Sequence, residues 1–119
     1  MDFKPKKAIY LQIADFICEK ILQKHWMAHE KISSIRELAM MLEVNPNTIT
    51  RTYAFLEEKN IITKQRGIGY FVAKNAWQKT SSLKKQEFFE QELPFIFKNM
   101  RLLNINMQEI QHLFSKEKL

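Results

Sequence analysis

The fold of this chain is decided by the stretch Val44-Asn45-Pro46-Asn47-Thr48-Ile49-Thr50-Arg51-Thr52-Tyr53. Asn45 is a favourable N-cap residue, and Pro46 follows at the first helical position, where a missing N–H costs nothing. The sequence therefore predicts that a helix begins here. The apolar residues of this helix that recur at helical spacing, and should face the core, are Ile49, Tyr53 and Leu56.

The polar residues of the same helix point away from that apolar face. They are short polar or cationic groups, which suit hydrogen bonding to base edges and phosphates. The helix is therefore expected to have one face in the core and one face that reads DNA. The candidate DNA contacts from this helix and its cap are Asn45, Asn47, Thr48, Thr50 and Arg51.

A shorter helix is predicted directly upstream. Ser34-Ile35-Arg36-Glu37 has the form of a capping box, with a serine cap and a glutamate three residues later. Leu38, Met41 and Leu42 follow at helical spacing, and the helix should end near Leu42-Glu43. Two helices joined by such a tight turn predict a helix-turn-helix, in which Arg36 is a further candidate DNA contact.

A β-hairpin is predicted downstream, with strands over residues 61–65 and 70–73. Arg66-Gly67-Ile68-Gly69 lies between them and holds both glycines of the protein. Glycine permits positive φ and a close backbone approach, which suits a hairpin tip near a phosphate. The alternative is an ordinary turn, but its place after a helix-turn-helix favours a DNA-binding wing with contacts at Arg66, Gly67 and Gly69.

These linked motifs make residues 9–73 resemble the winged helix-turn-helix of the gluconate-repressor (GntR) family of bacterial transcription regulators. The block 44–49, with Arg51 and Tyr53, is similar to the YtrA-like subfamily in particular. The segments that carry the resemblance are Ile9-Tyr10-Leu11-Gln12-Ile13, Ser34-Ile35-Arg36-Glu37-Leu38-Ala39 and Arg66-Gly67-Ile68-Gly69-Tyr70-Phe71-Val72.

The resemblance implies a mainly α fold with a small β-hairpin wing, in which residues 1–75 bind DNA and residues 76–119 form a short helical dimerisation tail. It also implies a repressor that binds a palindromic operator as a homodimer and controls a transporter operon. The chain departs from the family at Ala28-His29 and Ser33, where a Pro-Gly turn and a proline are usual. It also departs at Pro46 and Thr50, where most members have arginines, so base readout is not transferred to those two positions.

The first helix is expected over residues 9–24, with Cys18 as a small buried hydrophobe. Lys74–Ser82 is expected to be a polar connection, with Trp77 as an anchor onto the DNA-binding domain. The apolar stripe assigned to the first helix is Ile9, Ile13, Phe16, Ile17 and Ile21.

A helical pattern begins at Leu83 and carries more apolar surface than one face of a lone helix can hide. Short helices cannot build a core alone, so the tail must pack on a partner. An identical tail is favoured, because a two-fold dimer matches a palindromic site; the alternative is a tail folded back on its own domain. The predicted dimerisation residues are Phe88, Phe89, Leu93, Ile96, Phe97, Met100 and Leu103.

Pro94 interrupts this pattern. An interior proline removes one helical hydrogen bond, at a cost of roughly 3 kcal/mol, so a kink or a helix break is expected near Phe89–Pro94. A second tail helix is predicted after Asn106, which is followed three residues later by Glu109. Its apolar residues should be Ile110, Leu113 and Phe114.

Composition agrees with a nucleic-acid partner. The chain has 19 Lys and Arg against 13 Asp and Glu, a net charge of +6, and such a basic balance fits a polyanion. A single cysteine fits the reducing cytoplasm, and no stretch is apolar enough for a signal peptide or a membrane span. Double-stranded DNA and a second copy of the chain are the expected partners, while no small-molecule effector is identified.

No enzymatic, metal or cofactor site is predicted. His25 and His29 are four residues apart, but the first helix should end there and no second ligand cluster is evident. Gly67-Ile68-Gly69 lacks the third glycine and the following helix of a dinucleotide site. Two hypotheses remain: a sequence-specific transcription regulator, or a winged-helix module that binds protein without reading DNA. The cationic helix and wing favour the first.

Overall fold

The computed structural model describes residues 6–117, which fall into two compact units that meet between Ser82 and Leu83. The fold is mostly helical with one two-stranded antiparallel hairpin, as predicted. Within the part of the chain that is described, no helix has the length and apolar character needed to cross a bilayer.

Three helices build the first unit: α1 (Ile9–Leu22), α2 (Ile35–Leu42) and α3 (Pro46–Glu58). The capping box predicted for α2 is confirmed, because the Glu37 N–H donates to Ser34 Oγ at 3.1 Å and the Ser34 N–H donates to Glu37 Oε1 at 3.0 Å. These hydrogen bonds from Ser34, with a smaller contribution from Lys31, lower the pKa of the Glu37 carboxyl. The start of α2 is thus fixed by local contacts alone.

The turn between α2 and α3 is achieved without glycine. Glu43 takes the left-handed conformation at φ 54°, and the Val44 N–H donates to the Ala39 carbonyl at 3.0 Å. Asn45 then caps α3, as predicted, by accepting the Asn47 N–H at 2.8 Å. A left-handed residue is what commonly ends a helix in so short a turn.

The core of this unit lies between α1 and α3. The predicted core residues Ile49, Tyr53 and Leu56 are all fully buried, which confirms the apolar face of α3. Cys18 is also buried, as expected.

The stripe predicted for α1 is partly wrong. Ile13, Ile17 and Ile21 are buried, but Ile9 and Phe16 are exposed. At about 100° per residue, the buried face is centred between Ile17 and Ala14, and it includes Cys18. Ile9 and Phe16 lie on the flank away from Cys18, and Phe16 instead contacts the Lys20 ammonium. The helix also ends two residues before the predicted Lys24, which is left-handed at φ 62°.

The hairpin consists of β1 (Ile62–Gln65) and β2 (Gly69–Val72), paired in the register Ile62 with Val72 and Gln65 with Gly69. A third segment, residues 30–32, pairs with the outer side of β2. The Ile32 N–H donates to the Tyr70 carbonyl, and the Val72 N–H donates to the Glu30 carbonyl. The segment that lacks the usual Pro-Gly turn is therefore held by the hairpin.

The turn that leads into this segment uses a histidine. His29 is left-handed at φ 70°, and its N–H donates to the Val72 carbonyl at 2.8 Å. The hydrogen bond to β2 offsets the cost of a left-handed non-glycine residue, roughly 1–2 kcal/mol.

The polar connection predicted over Lys74–Ser82 is wrong, because α4 (Ala76–Glu87) begins inside it. Ala76 and Thr80 are buried one helical turn apart. The Trp77 Nε1–H donates to the Leu22 carbonyl at 3.1 Å, which confirms Trp77 as an anchor. Packing within the first unit, to which residues 76–82 belong, therefore starts this helix well before the apolar pattern at Leu83.

The second unit contains a π-helical turn over Phe88–Glu92, followed by α5 (Leu93–Leu103) and α6 (Met107–Lys116). The sequence predicted a kink or a helix break near Phe89–Pro94, and the structure has this π-helical turn there instead of a break. A proline ring in a helix clashes with the carbonyl four residues earlier, here that of Glu90. The wider turn lies at that carbonyl, so the chain continues into α5 without a break.

The second tail helix is also confirmed. The Glu109 N–H donates to Asn106 Oδ1 at 2.9 Å, and the Asn106 N–H donates to Glu109 Oε1 at 3.1 Å. The helix α6 is therefore started by the same reciprocal capping that starts α2.

Candidate nucleic-acid interface

The first turn of α3 presents its polar groups to solvent. Asn47 and Thr50 are exposed, and Thr48 is half-buried. Asn45 uses its side-chain oxygen for the cap, which leaves its amide N–H groups for an acceptor outside the chain. The Thr50 hydroxyl donates to the Pro46 carbonyl at 3.1 Å, so it is left with acceptor capacity and a methyl group. The Asn45 amide can donate to a base edge or a phosphate, whereas the Thr50 hydroxyl can accept from a base donor and its methyl can contact a thymine methyl.

Arg36 lies at the start of α2, next to the start of α3. It is exposed, and it lines a shallow depression together with Val44 and Pro46. The structure therefore brings this cation to the same surface as the cap of α3. A helix start also carries free N–H groups and a partial positive charge, which add to the attraction for an anion.

Arg51 lies against the first turn of α1. Its guanidinium carbon is 4.0 Å from the centre of the Tyr10 ring, while the side chain remains exposed. An arginine held by its flat face keeps its N–H groups at the edge free. The contact covers one side of the guanidinium and leaves the exposed side chain accessible to a ligand outside the chain.

The hairpin tip carries Arg66 and the two glycines. Gly67 has φ 77°, a conformation that favours glycine. Gly69 has φ 140°, and a Cβ on it would lie 3.0 Å from Lys31 Cε. Glycine is therefore favoured at this position by its φ, while the flexible end of Lys31 that lies over it would need to move by only a few tenths of an ångström. Arg66 is exposed at the tip.

Three residues at this surface were missed by sequence reasoning. Lys31 is brought beside Gly69 by the pairing of residues 30–32 with β2. Lys64 lies 5.7 Å from the Tyr70 ring centre and adds a cation to the hairpin. Tyr10 supports Arg51 from α1. Lys64 could have been found from its closeness to Arg66 in the sequence, whereas the contacts of Lys31 and Tyr10 depend on tertiary packing.

Two buried hydroxyl groups fix α3 beneath this surface. Thr52 Oγ1 donates to the Tyr10 carbonyl at 2.7 Å and lies 3.1 Å from the Thr48 carbonyl. The Tyr53 hydroxyl donates to the Ser33 carbonyl at 2.6 Å. Burial, together with the nearby Tyr70 and Glu37, raises the pKa of Tyr53. The reading helix is thereby tied to α1 and to the start of α2.

Replacement of Tyr53 by phenylalanine is expected to destabilise the chain by about 1 kcal/mol, because the Ser33 carbonyl loses its donor. The raised pKa adds a pH dependence. The hydrogen bond contributes fully below about pH 10, the unfolded value for tyrosine, and is lost as the pH rises through the higher folded value. The difference in the free energy of unfolding between the wild type and Tyr53→Phe should therefore be constant from neutral pH to about pH 9 and become smaller at higher pH.

Urea unfolding measured across that pH range tests this prediction, with Tyr70→Phe as the control. Tyr70 packs edge-on against Tyr53 with ring centres 4.7 Å apart. An equal loss of stability in both variants would contradict a specific role for the Tyr53 hydroxyl.

Comparison with known proteins identifies the family of the domain that carries this surface. The family model described as "Bacterial regulatory proteins, gntR family" matches residues 9–72, which span α1, the helix-turn-helix and the hairpin. The chain belongs to the GntR family. It is a transcription regulator whose winged helix-turn-helix binds DNA, and this finding favours the first of the two hypotheses drawn from the sequence.

Relatives of this GntR member support the assignment over most of its length. It is 37% identical to the HTH-type transcriptional regulator YhcF of Bacillus subtilis over 91% of this chain and 88% of that protein. It is 36% identical to the HTH-type transcriptional repressor YtrA of Bacillus subtilis over 64% of this chain and 58% of that protein. Among solved structures, a GntR family transcriptional regulator from Listeria monocytogenes matches with a TM-score of 0.78 and 35% identity, over 98% of this chain and 100% of that one.

Proposed function

We propose that the chain is a repressor that binds a palindromic operator as a homodimer, with its second unit as the dimerisation element. The observation that carries this proposal is the apolar surface of that unit. Phe89 is 60% exposed and Leu103 is 68% exposed. Isolated exposed apolar residues are ordinary, but a cluster of large ones on short helices marks an interaction site.

The residues predicted to form the dimer differ in their exposure. Phe88, Phe89, Ile96, Phe97 and Leu103 are exposed, Leu93 is half-buried, and Met100 is buried. Met100 therefore supports the surface from within the chain, while the exposed members are available to a partner. Leu113 and Phe114 of α6 are also exposed and extend the apolar surface beyond the predicted set.

A second copy is the partner that fits this surface and the function together. A two-fold dimer presents two reading helices to two half-sites, which is the symmetry of a palindrome. The repressing direction is supported by the similarity to YtrA, which is named a transcriptional repressor. The resemblance to the YtrA-like subfamily also favours a transporter operon as the target. Such a regulator would act in the cytoplasm, where bacterial DNA lies.

The DNA-binding surface of the proposal consists of the first turn of α3 together with three arginines from separate elements. The structure presents Arg36 from α2, Arg51 from α3 and Arg66 from the hairpin tip, all exposed. Arg51→Ala and Arg66→Ala are each expected to reduce operator binding by about 1–3 kcal/mol if the guanidinium contacts a base edge.

Binding of a palindromic duplex at several salt concentrations measures these effects. Lys79→Ala is the control, because it removes one exposed positive charge from α4. The arginine variants should lose more affinity than this control at every salt concentration. If both variants fold and bind with wild-type affinity, the proposed surface is wrong.

A further inference from the structure

The contact between Arg51 and Tyr10 joins the reading helix to the first turn of α1. The guanidinium carbon lies 4.0 Å from the Tyr10 ring centre, well within the distance of about 6 Å at which a cation is attracted to an aromatic face. Arg51 is exposed and Tyr10 is half-buried. The half-buried ring is therefore a platform against which the exposed arginine side chain lies.

The position of this platform is set by the residue next to Arg51. Thr52 is fully buried, and its hydroxyl donates to the backbone carbonyl of Tyr10 at 2.7 Å. Two consecutive residues of α3 thus contact Tyr10 of α1. The Thr52 hydroxyl contacts its backbone carbonyl, and the Arg51 guanidinium contacts its ring. The hydrogen bond joins the two helices at Tyr10, and the Tyr10 ring lies against the guanidinium at the same place.

We propose that Tyr10 is a positioning residue for DNA recognition, which holds the Arg51 guanidinium by its face so that its edge meets the DNA. A free arginine side chain loses rotamer entropy when it is immobilised. An arginine already held on a ring loses less of this on binding, so the platform increases affinity through preorganisation. The inference rests on the proposed DNA-binding surface.

The ligand chemistry that suits a guanidinium edge is a pair of acceptors in one plane. Phosphate oxygens and the O6 and N7 atoms of guanine both provide this. If Arg51 contacts a phosphate, Arg51→Ala should weaken binding to all DNA equally and lower the salt slope by about 1. If it contacts guanine, Arg51→Ala should weaken binding to the specific operator only. Comparison of these two results identifies the acceptor of Arg51.

The test compares Tyr10→Phe and Tyr10→Leu in the full chain. The probe is a palindromic duplex selected by the wild-type chain from a pool of random sequences. Phenylalanine keeps the aromatic face and should bind like the wild type. Leucine keeps the bulk without the face and should bind about two- to five-fold more weakly, the equivalent of an exposed cation–π contact. In the Arg51→Ala background, Tyr10→Leu should cause no further loss, because the two residues act as one unit.

A measurement without DNA separates this inference from the proposed function. The Arg51 Nε–H resonance should be shifted upfield by the Tyr10 ring in the free protein, keep that shift in Tyr10→Phe and lose it in Tyr10→Leu. Independent, additive losses in the double-variant cycle, or an unshifted resonance in the wild type, would overturn the role of Tyr10. A wild-type chain that shows the shift but does not prefer a palindrome would instead overturn the proposed function.

Discussion

A full-length chain with Phe89→Glu and Leu103→Glu is expected to be monomeric and to bind a palindromic operator about 10²–10⁴-fold more weakly than the wild type. The two side chains are 60% and 68% exposed, so a charge at either position is tolerated by the folded monomer. The same charge in a dimer interface would be removed from water without a partner, which is strongly unfavourable.

The size of the effect follows from the geometry of two-site binding. A monomer reads one half-site, with few base contacts. In a dimer the second half-site is bound at a high effective concentration, and this raises the apparent affinity without any new contact. The operator affinity lost when the dimer dissociates into monomers is therefore larger than the affinity lost on removal of a single DNA-contacting arginine, roughly 1–3 kcal/mol.

Light scattering tests the predicted oligomeric state, and binding to palindromic and half-site duplexes tests the predicted loss of affinity. Gln91→Glu with Gln108→Glu is the matched control, because it adds the same two charges at exposed polar positions of the second unit. The control should remain dimeric. A chain that ends at Ser82 should be monomeric and show little preference for a palindrome. If the wild-type chain is monomeric at micromolar concentrations and its tail resists protease, the tail folds back on its own domain and the dimer hypothesis is wrong.

Leu56→Ala is expected to lower the free energy of unfolding by about 2–5 kcal/mol. Leu56 is fully buried on the core face of α3, and truncation removes apolar contacts and leaves a cavity that the packed helices fill only in part. A loss of this size is a large share of the stability of a small domain, about 5–15 kcal/mol. DNA binding should fall only as far as the folded fraction falls.

Urea unfolding followed by circular dichroism tests this prediction. Thr50→Ala is the control on the opposite face of the same helix, where the side chain is exposed. Its stability should stay within about 0.5 kcal/mol of the wild type, as for most surface substitutions. A larger destabilisation by Thr50→Ala than by Leu56→Ala would mean that the two faces of α3 are assigned the wrong way round.

The features that the sequence by itself determined are those fixed by contacts within a few residues. The capping boxes of Ser34 with Glu37 and of Asn106 with Glu109 are complete within three residues. The Asn45 cap with Pro46 is equally local. Such hydrogen bonds form in much the same way whatever surrounds them, so the starts of α2, α3 and α6 were predictable. Helical spacing likewise predicted the buried face of α3, because its large apolar residues form one stripe and only the face that carries the stripe can be buried.

Tertiary structure alone decided the features that depend on distant partners. The helix α4 begins at Ala76 because Trp77 donates to the Leu22 carbonyl and Thr80 is buried. The sequence predicted Trp77 as an anchor, but neither its hydrogen-bond partner nor the burial of Thr80 is visible in a polar stretch. Lys31 reaches Gly69 only because its segment pairs with β2. Arg51 contacts Tyr10, a residue 41 positions earlier, because α3 packs on α1, where Thr52 donates to the Tyr10 carbonyl. Periodicity shows which face of a helix is apolar, but the partner of each side chain is set by how the helices pack, and that packing determines where the cations of this surface are presented.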